Sequence, residues 1–168
     1  VILPLAKYNY WMGDVNDSKA MTPLQRQKLE PLLRRDCMCG VGVASHQEID
    51  YYGLTEATRL AIIRALALLA VRPDFVLIDG YSMQLDGFQY RAIVRGDATC
   101  LSIAAASVVA KVARDSIMIE EEQRYPGYGF ARHKGYGTRQ HLEALLRLGP
   151  SPIHRRTFRP VQAIPAKC

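Results

Sequence analysis

The sequence predicts an α/β domain: a layered fold with a central mixed or parallel sheet flanked by helices. Three observations carry this expectation. Phe75-Val-Leu-Ile-Asp79 is a short apolar run closed by an acid, Tyr90 to Val94 is a second short run leading into Arg95-Gly-Asp97, and helical patterning occupies the segments before and after them. Strands alternating with helices build this class of fold. A chain of 168 residues fits a single domain and is long enough to bury a core without metals or disulfides as staples.

Each element has its own signal. Thr22 can cap a helix from about 23 to 34, with Pro23 at the first helical position and Gln25 completing a capping box. Cys37 to Ala44 is apolar and glycine-spaced, which suits a strand, and Ser45 then caps a short helical turn through Asp50. From about Thr55 to Ala70, Leu60, Ile63, Leu66, Leu68 and Leu69 give a longer helix a broad apolar face. Phe75 to Gly80 lacks polar alternation before Asp79, as expected of a strand buried on both faces. A long helix follows from about Ser102 to Arg124, and its Ala104 to Ala106 run is small enough to pack closely on the sheet. Pro126, Gly127 and Gly129 end it, a loop carries His133 to Thr138, and Arg139 to Leu148 forms a further helix stopped by Gly149-Pro150. The tail, with three prolines in its final 17 residues, reads as irregular.

Composition narrows the function. No run approaches the roughly 20 apolar residues of a membrane helix, and Val1-Ile-Leu-Pro lacks the features of a signal peptide, so a cytoplasmic protein without membrane contact is expected. Cysteines at 37, 39, 100 and 168 form no CxxC pair and suit a reducing compartment; Cys37 and Cys39 share a strand face and could be small buried residues or part of a zinc site. The net charge of +6 is uneven: residues 124–168 carry nine Lys or Arg against Glu143 alone, +8, leaving −2 for the rest. A basic C-terminal third matches the footprint of a phosphate-backbone partner, although arginine stems can equally cover apolar surface.

Asp79 and Asp97 follow apolar strands, and in open α/β sheets function gathers at such carboxyl ends. Two carboxylates converging there suit a hard cation such as Mg²⁺ or Mn²⁺, which can assist phosphodiester cleavage. Asp79-Gly80 could also be a tight turn, and Asp97 a helix cap. Ser107 and Lys111 share a helix face; Asp115, beside Arg114, could join a surface ion-pair network or lean towards the metal site. In His133-Lys134-Gly-Tyr136-Gly-Thr138, a tyrosine between glycines beside Lys134 suits stacking on a base or sugar, or covers the loop. Asp17-Ser18-Lys19, just before a helix, offers donors for a phosphate.

Taken together, Asn16-Asp-Ser-Lys19, Val76-Leu-Ile-Asp79-Gly80, Val94-Arg-Gly-Asp97, Ser102-Ile-Ala-Ala-Ala-Ser107, Ala110-Lys-Val-Ala-Arg-Asp115, His133-Lys-Gly-Tyr-Gly-Thr138 and Pro152-Ile-His-Arg-Arg-Thr-Phe-Arg-Pro-Val161 resemble bacterial ribonuclease HII, the type 2 ribonuclease H. The resemblance covers nearly the whole chain. It implies a ribonuclease H-like fold across residues 1–168 and hydrolysis of RNA in RNA/DNA hybrids and at ribonucleotides embedded in duplex DNA; nothing in the sequence suggests a dedicated interface, so a monomer is expected. Cleavage falls 5′ of the ribonucleotide and leaves a 3′ hydroxyl and a 5′ phosphate, chemistry that serves ribonucleotide removal in DNA replication and repair. It further implies four acids holding Mn²⁺ or Mg²⁺, of which Asp79 matches the third and Asp97 the fourth. Tyr136 matches the tyrosine that packs on the sugar at the RNA-to-DNA junction, and Ser18 and Lys19 match a phosphate-side position.

Two departures qualify the resemblance. The family opens with a strand bearing Asp-Glu-Ala-Gly-Arg-Gly, which supplies the first two acids and a loop reading the 2′ hydroxyl, whereas Val1-Ile-Leu resembles the segment just after it. An N-terminally truncated catalytic domain with impaired metal binding and cleavage is the resulting expectation, with a non-catalytic RNA/DNA hybrid-binding module as the alternative. Arg95 stands where the family usually has Lys, which keeps the charge and changes its geometry.

Overall fold

A computed structural model of the chain describes residues 1–4 and 8–164. The elements in order are a 3₁₀ turn at Tyr10–Asp14, α1 at Pro23–Asp36, α2 at His46–Ala67, β1 at Phe75–Asp79, β2 at Gln89–Ile93, α3 at Gly96–Thr99, α4 at Leu101–Arg124, α5 at Phe130–His133, α6 at Arg139–Leu148 and α7 at Arg159–Gln162. This is an α/β chain in which helices dominate a small sheet. Two compact units divide it: residues 1–43 with 58–112, and residues 44–57 with 113–168. No helix among the described residues is long and apolar enough to cross a membrane.

In the first unit, α1 begins with the expected reciprocal cap: Thr22 Oγ1 accepts from the Gln25 N–H, and Gln25 Oε1 accepts from the Thr22 N–H. Its inner residues Leu29 and Leu33 join Trp11, Met21 and Cys37 in a buried cluster with Ala105, Val108 and Val109 of α4. Of the run Ala104 to Ala106, expected to pack on the sheet, only Ala105 joins this cluster, which contains no residue of β1 or β2. Trp11 is fully buried and its indole Nε1 donates to Asp36 Oδ2 at 2.7 Å, which gives its polar edge a partner.

β1 and β2 pair in parallel, from Phe75 opposite Gln89 to Asp79 opposite Ile93. The expectation that β1 is buried on both faces fails. Ile78 is buried, whereas Phe75 and Leu77 are 51 % and 38 % exposed. Side chains alternate across a strand, so one face of β1 is covered and the other is open, whatever its composition.

The strand expected at Cys37–Ala44 is also absent among the described residues, apart from an isolated antiparallel bridge between Ile2 and Met38. The glycines explain what replaces it. A Cβ on Gly40 would lie 2.1 Å from the Ala65 carbonyl oxygen, and one on Gly42 would lie 1.9 Å from that of Ala61. This backbone lies directly on the second half of α2, where Arg64 also donates to the Val43 carbonyl at 2.7 Å.

The segments 45–50 and 55–70, expected as separate helices, appear as α2 broken at Gly53, whose φ of 80° and ψ of 167° are non-helical. Ser45 caps it as expected, its Oγ accepting from the Glu48 N–H at 3.1 Å. In the second unit, Tyr128, Phe130, Ala144, Leu145 and Val161 form a separate buried cluster. α6 matches its expected bounds, started by Thr138 Oγ1 and ended by Gly149, whose positive φ of 79° favours glycine. Up to residue 164 the tail is less irregular than its prolines suggest, and residues 165–168 lie outside the described residues: Asp50 accepts from the backbone N–H groups of Arg156 and Thr157 and from the Thr157 hydroxyl at 2.6 to 3.0 Å. Burial alone would raise the Asp50 carboxyl, and these donors hold it below its ordinary value.

Candidate active site

Parallel pairing carries Asp79 and Asp97 to the same end of the sheet. Asp79 is the last residue of β1, opposite Ile93, and the Gly80 N–H donates to the Ile93 carbonyl at 2.9 Å. β2 then passes through Arg95 into the single turn α3, which holds Asp97. The Gly96 N–H donates to Asp79 Oδ1 at 2.8 Å, tying the first carboxylate to the residue beside the second. Neither alternative of turn residue or helix cap describes them: Asp79 is bonded across the sheet end, and Asp97, only 8 % exposed, lies inside α3 rather than at its cap.

The backbone around the pair is specialised. Arg95 is in the left-handed region at φ 57° and ψ 39°, a conformation costing about 1 kcal/mol for a non-glycine residue. Gly96 is hemmed in, because a Cβ there would meet Ile103 Cδ1 at 2.5 Å and Asp79 Oδ1 at 3.4 Å.

Lys19 reaches the same place. Its Nζ lies 3.2 Å from Asp97 Oδ2 while the side chain stays largely exposed. The hydrogen bond to Asp97 and the charges of Asp97, Asp17 and Asp79 raise the Lys19 ammonium above its ordinary value. Asp17 Oδ1 accepts from the Lys19 N–H and Asn16 Oδ1 from the Asp17 N–H, both at 2.8 Å, which fixes the turn presenting the ammonium. Ser18 behaves differently: it is buried, and its carbonyl accepts from the Arg26 guanidinium at 2.6 Å. Arg26 is a buried charge that sequence reasoning missed. The signal was its place on the inner face of α1, three residues before Leu29 and seven before Leu33.

In the second unit, Tyr136 is 56 % exposed, with the Arg114 guanidinium 4.6 Å from its ring centroid. Arg114 was not foreseen as its partner. Lys134 adopts φ 53° at the end of α5, and its Nζ bends back to the Ala131 carbonyl at 2.6 Å. His133 is buried and stacked on His141, ring centroids 4.3 Å apart. Ser107 donates its hydroxyl to the Ala104 carbonyl at 2.8 Å, which fits a structural role in α4.

No group of three or more His, Cys, Asp or Glu among the described residues is arranged to hold a metal ion. Asp79 and Asp97 fit a hard divalent ion in kind, being carboxylates already drawn together and already facing a cation, Lys19. Cys37 is buried, and burial first, then the neighbouring Cys39 and Asp36, push its thiol up to about 11, which disfavours the thiolate that zinc requires.

The family model for ribonuclease HII matches residues 11–161. Ribonuclease HII of Cereibacter sphaeroides is 53 % identical over 151 residues, covering 89 % of this chain and 71 % of the relative. Ribonuclease HII of Dehalococcoides mccartyi is 45 % identical over 165 residues, covering 98 % of this chain and 78 % of the relative. The crystal structure of ribonuclease H2 from Pyrococcus horikoshii OT3 superposes with a TM-score of 0.69 at 24 % identity, covering 90 % of this chain and 79 % of that one, which establishes the shared ribonuclease H2 fold. The chain belongs to the ribonuclease HII family, and so to the ribonuclease H enzymes.

Proposed function

We propose that residues 1–168 act as one ribonuclease H-like, metal-dependent endonuclease domain, monomeric and cytoplasmic. It hydrolyses RNA in RNA/DNA hybrids and cuts 5′ of ribonucleotides embedded in duplex DNA. The observation that carries this reading is the Asp79 and Asp97 pair, brought to adjacent ends of parallel strands and linked by the Gly96 N–H.

Asp79 and Asp97 are the residues that would hold Mn²⁺ or Mg²⁺, an ion that when bound helps a water attack phosphorus and offsets charge on the departing 3′ oxygen. Lys19, paired with Asp97, is available to meet a phosphate, and its turn is held from behind by the Ser18 carbonyl bonded to Arg26. In the second unit, the exposed ring of Tyr136 offers a face to a sugar or base, and Lys134 adds positive charge beside it. Two carboxylates alone hold a divalent ion weakly, so residues 1–168 by themselves are expected to cut slowly.

Incubation with Mg²⁺ or Mn²⁺ tests this, using labelled duplexes with one ribonucleotide and all-DNA duplexes, with and without an Asp-Glu-Ala-Gly-Arg-Gly strand joined before Val1. A single cut 5′ of the ribonucleotide, abolished by chelation, is expected. Equal cleavage of both duplexes, or no cut even with the added strand, contradicts it. A non-catalytic hybrid-binding module is the second reading, supported by the basic C-terminal third and the exposed ring of Tyr136 within it. Metal-independent binding to RNA/DNA junctions with no cleavage under any condition would select that one.

A further inference from the structure

The backbone of Tyr136 is held by three buried histidines that the catalytic reading does not use. Their hydrogen bonds leave one self-consistent arrangement of protons. The Ser151 N–H can only donate, so His154 Nδ1, 3.0 Å away, is an acceptor; it also takes the Ser151 hydroxyl at 2.7 Å. A neutral His154 then carries its proton on Nε2, which donates to His141 Nε2 at 3.2 Å. His141 must in turn carry its proton on Nδ1, and that N–H donates to the Tyr136 carbonyl at 2.9 Å. His133 completes the clamp: its Nδ1 accepts from the Gly135 N–H at 3.2 Å, its Nε2–H donates to the Tyr128 carbonyl at 2.8 Å, and its own carbonyl accepts from the Tyr136 N–H at 3.0 Å.

We infer that Ser151, His154 and His141 form an ordered relay of neutral imidazoles that positions Tyr136, with His133 stacked on His141 as its second support. This rests on the proposed role of Tyr136 as a nucleic-acid contact. The loop 135–138 has a glycine on each side of Tyr136, so its own backbone offers little stiffness. The relay supplies that stiffness from the buried cluster around Phe130, whose ring lies 5.5 Å from His141 and 5.6 Å from His154. An exposed stacking residue ordered before binding loses less conformational freedom on contact with a substrate. His141 and His154 are positioning residues in this scheme, acting through Tyr136 and not on the substrate.

Two variants of His141 separate donor from volume. Asn places an N–H near the position of Nδ1, whereas Leu fills space with no donor. Amide hydrogen exchange of the intact chain reads the relay directly, and fluorescence anisotropy compares a labelled duplex carrying one ribonucleotide with its all-DNA counterpart. His141→Leu is expected to speed exchange at Tyr136 and Thr138 and to lower the preference for the ribonucleotide duplex as far as Tyr136→Ala does, about tenfold. The double variant should lose no more, and His141→Asn should retain most of both. Imidazole ¹⁵N shifts should show protons on His141 Nδ1 and His154 Nε2. Unchanged exchange in His141→Leu, the opposite tautomers, or lost preference in Tyr136→Ala alone overturns the relay. If Tyr136→Ala leaves the preference intact, the role of Tyr136 fails instead, and the exchange and tautomer results decide the relay independently.

Discussion

Acid should loosen the second unit through His154. Burial above all, then the neighbouring His141, lowers this imidazole from 6.5 to about 4. Between those values the unfolded chain binds a proton that the folded chain refuses, so stability rises with pH across the window. The contribution is complete above about pH 6.5 and is lost as pH falls towards 4. At 1.36 kcal/mol per pH unit, the loss amounts to about 3 kcal/mol. Urea unfolding of the chain and of His154→Gln at a series of pH values isolates it, because carboxylates common to both proteins cancel in the difference. Gln keeps an N–H to donate to His141 and removes the titrating ring. The advantage of the parent over the variant should shrink by about 3 kcal/mol between about pH 7.5 and 4. A constant difference across that range would refute the assignment of His154 as a buried neutral base.

Other perturbations follow from specific distances. Gly42→Ala would place a Cβ against the backbone at Ala61 and Ala65, so it should destabilise the first unit by about 3 kcal/mol in urea unfolding, whereas Gly137→Ala, with open space around it, should change stability by less than about 0.5 kcal/mol. Gly96→Ala should cost about 1–2 kcal/mol through its contact with Ile103, and by shifting the N–H that holds Asp79 it should also weaken Mn²⁺ binding in a titration. Lys19→Met removes the cation competing for Asp97, so Mn²⁺ affinity should rise about two- to fivefold while affinity for duplex at low salt falls, both readable by titration.

Local chemistry made much of the fold legible. The start of α1 carried its cap in Thr22 and Gln25, and Gly149 marked where α6 had to end. Asp79 and Asp97 stand out in the sequence because one closes a short apolar run and the other lies just beyond a second, and parallel pairing brings the two strand ends together. What failed depended on distant partners. Nothing within Phe75–Asp79 says which face is covered, and the glycines at 40 and 42 are equally compatible with a strand and with a backbone lying on α2.

α5 escaped notice because four residues beginning after Gly129 show no periodicity. The histidine relay escaped because 141 and 154 lie in different elements, joined only by folding. Ser18, expected with Asp17 and Lys19 to offer a donor to a phosphate from its place before a helix, is instead buried, with its carbonyl taken by Arg26.

Mn²⁺ binding to the intact chain, followed by electron paramagnetic resonance, tests the pairing of Asp79 and Asp97 most directly. One weak site should appear in the parent and vanish in both Asp79→Asn and Asp97→Asn, with far-ultraviolet circular dichroism unchanged. Binding that survives both substitutions would contradict the placement of the metal on this carboxylate pair.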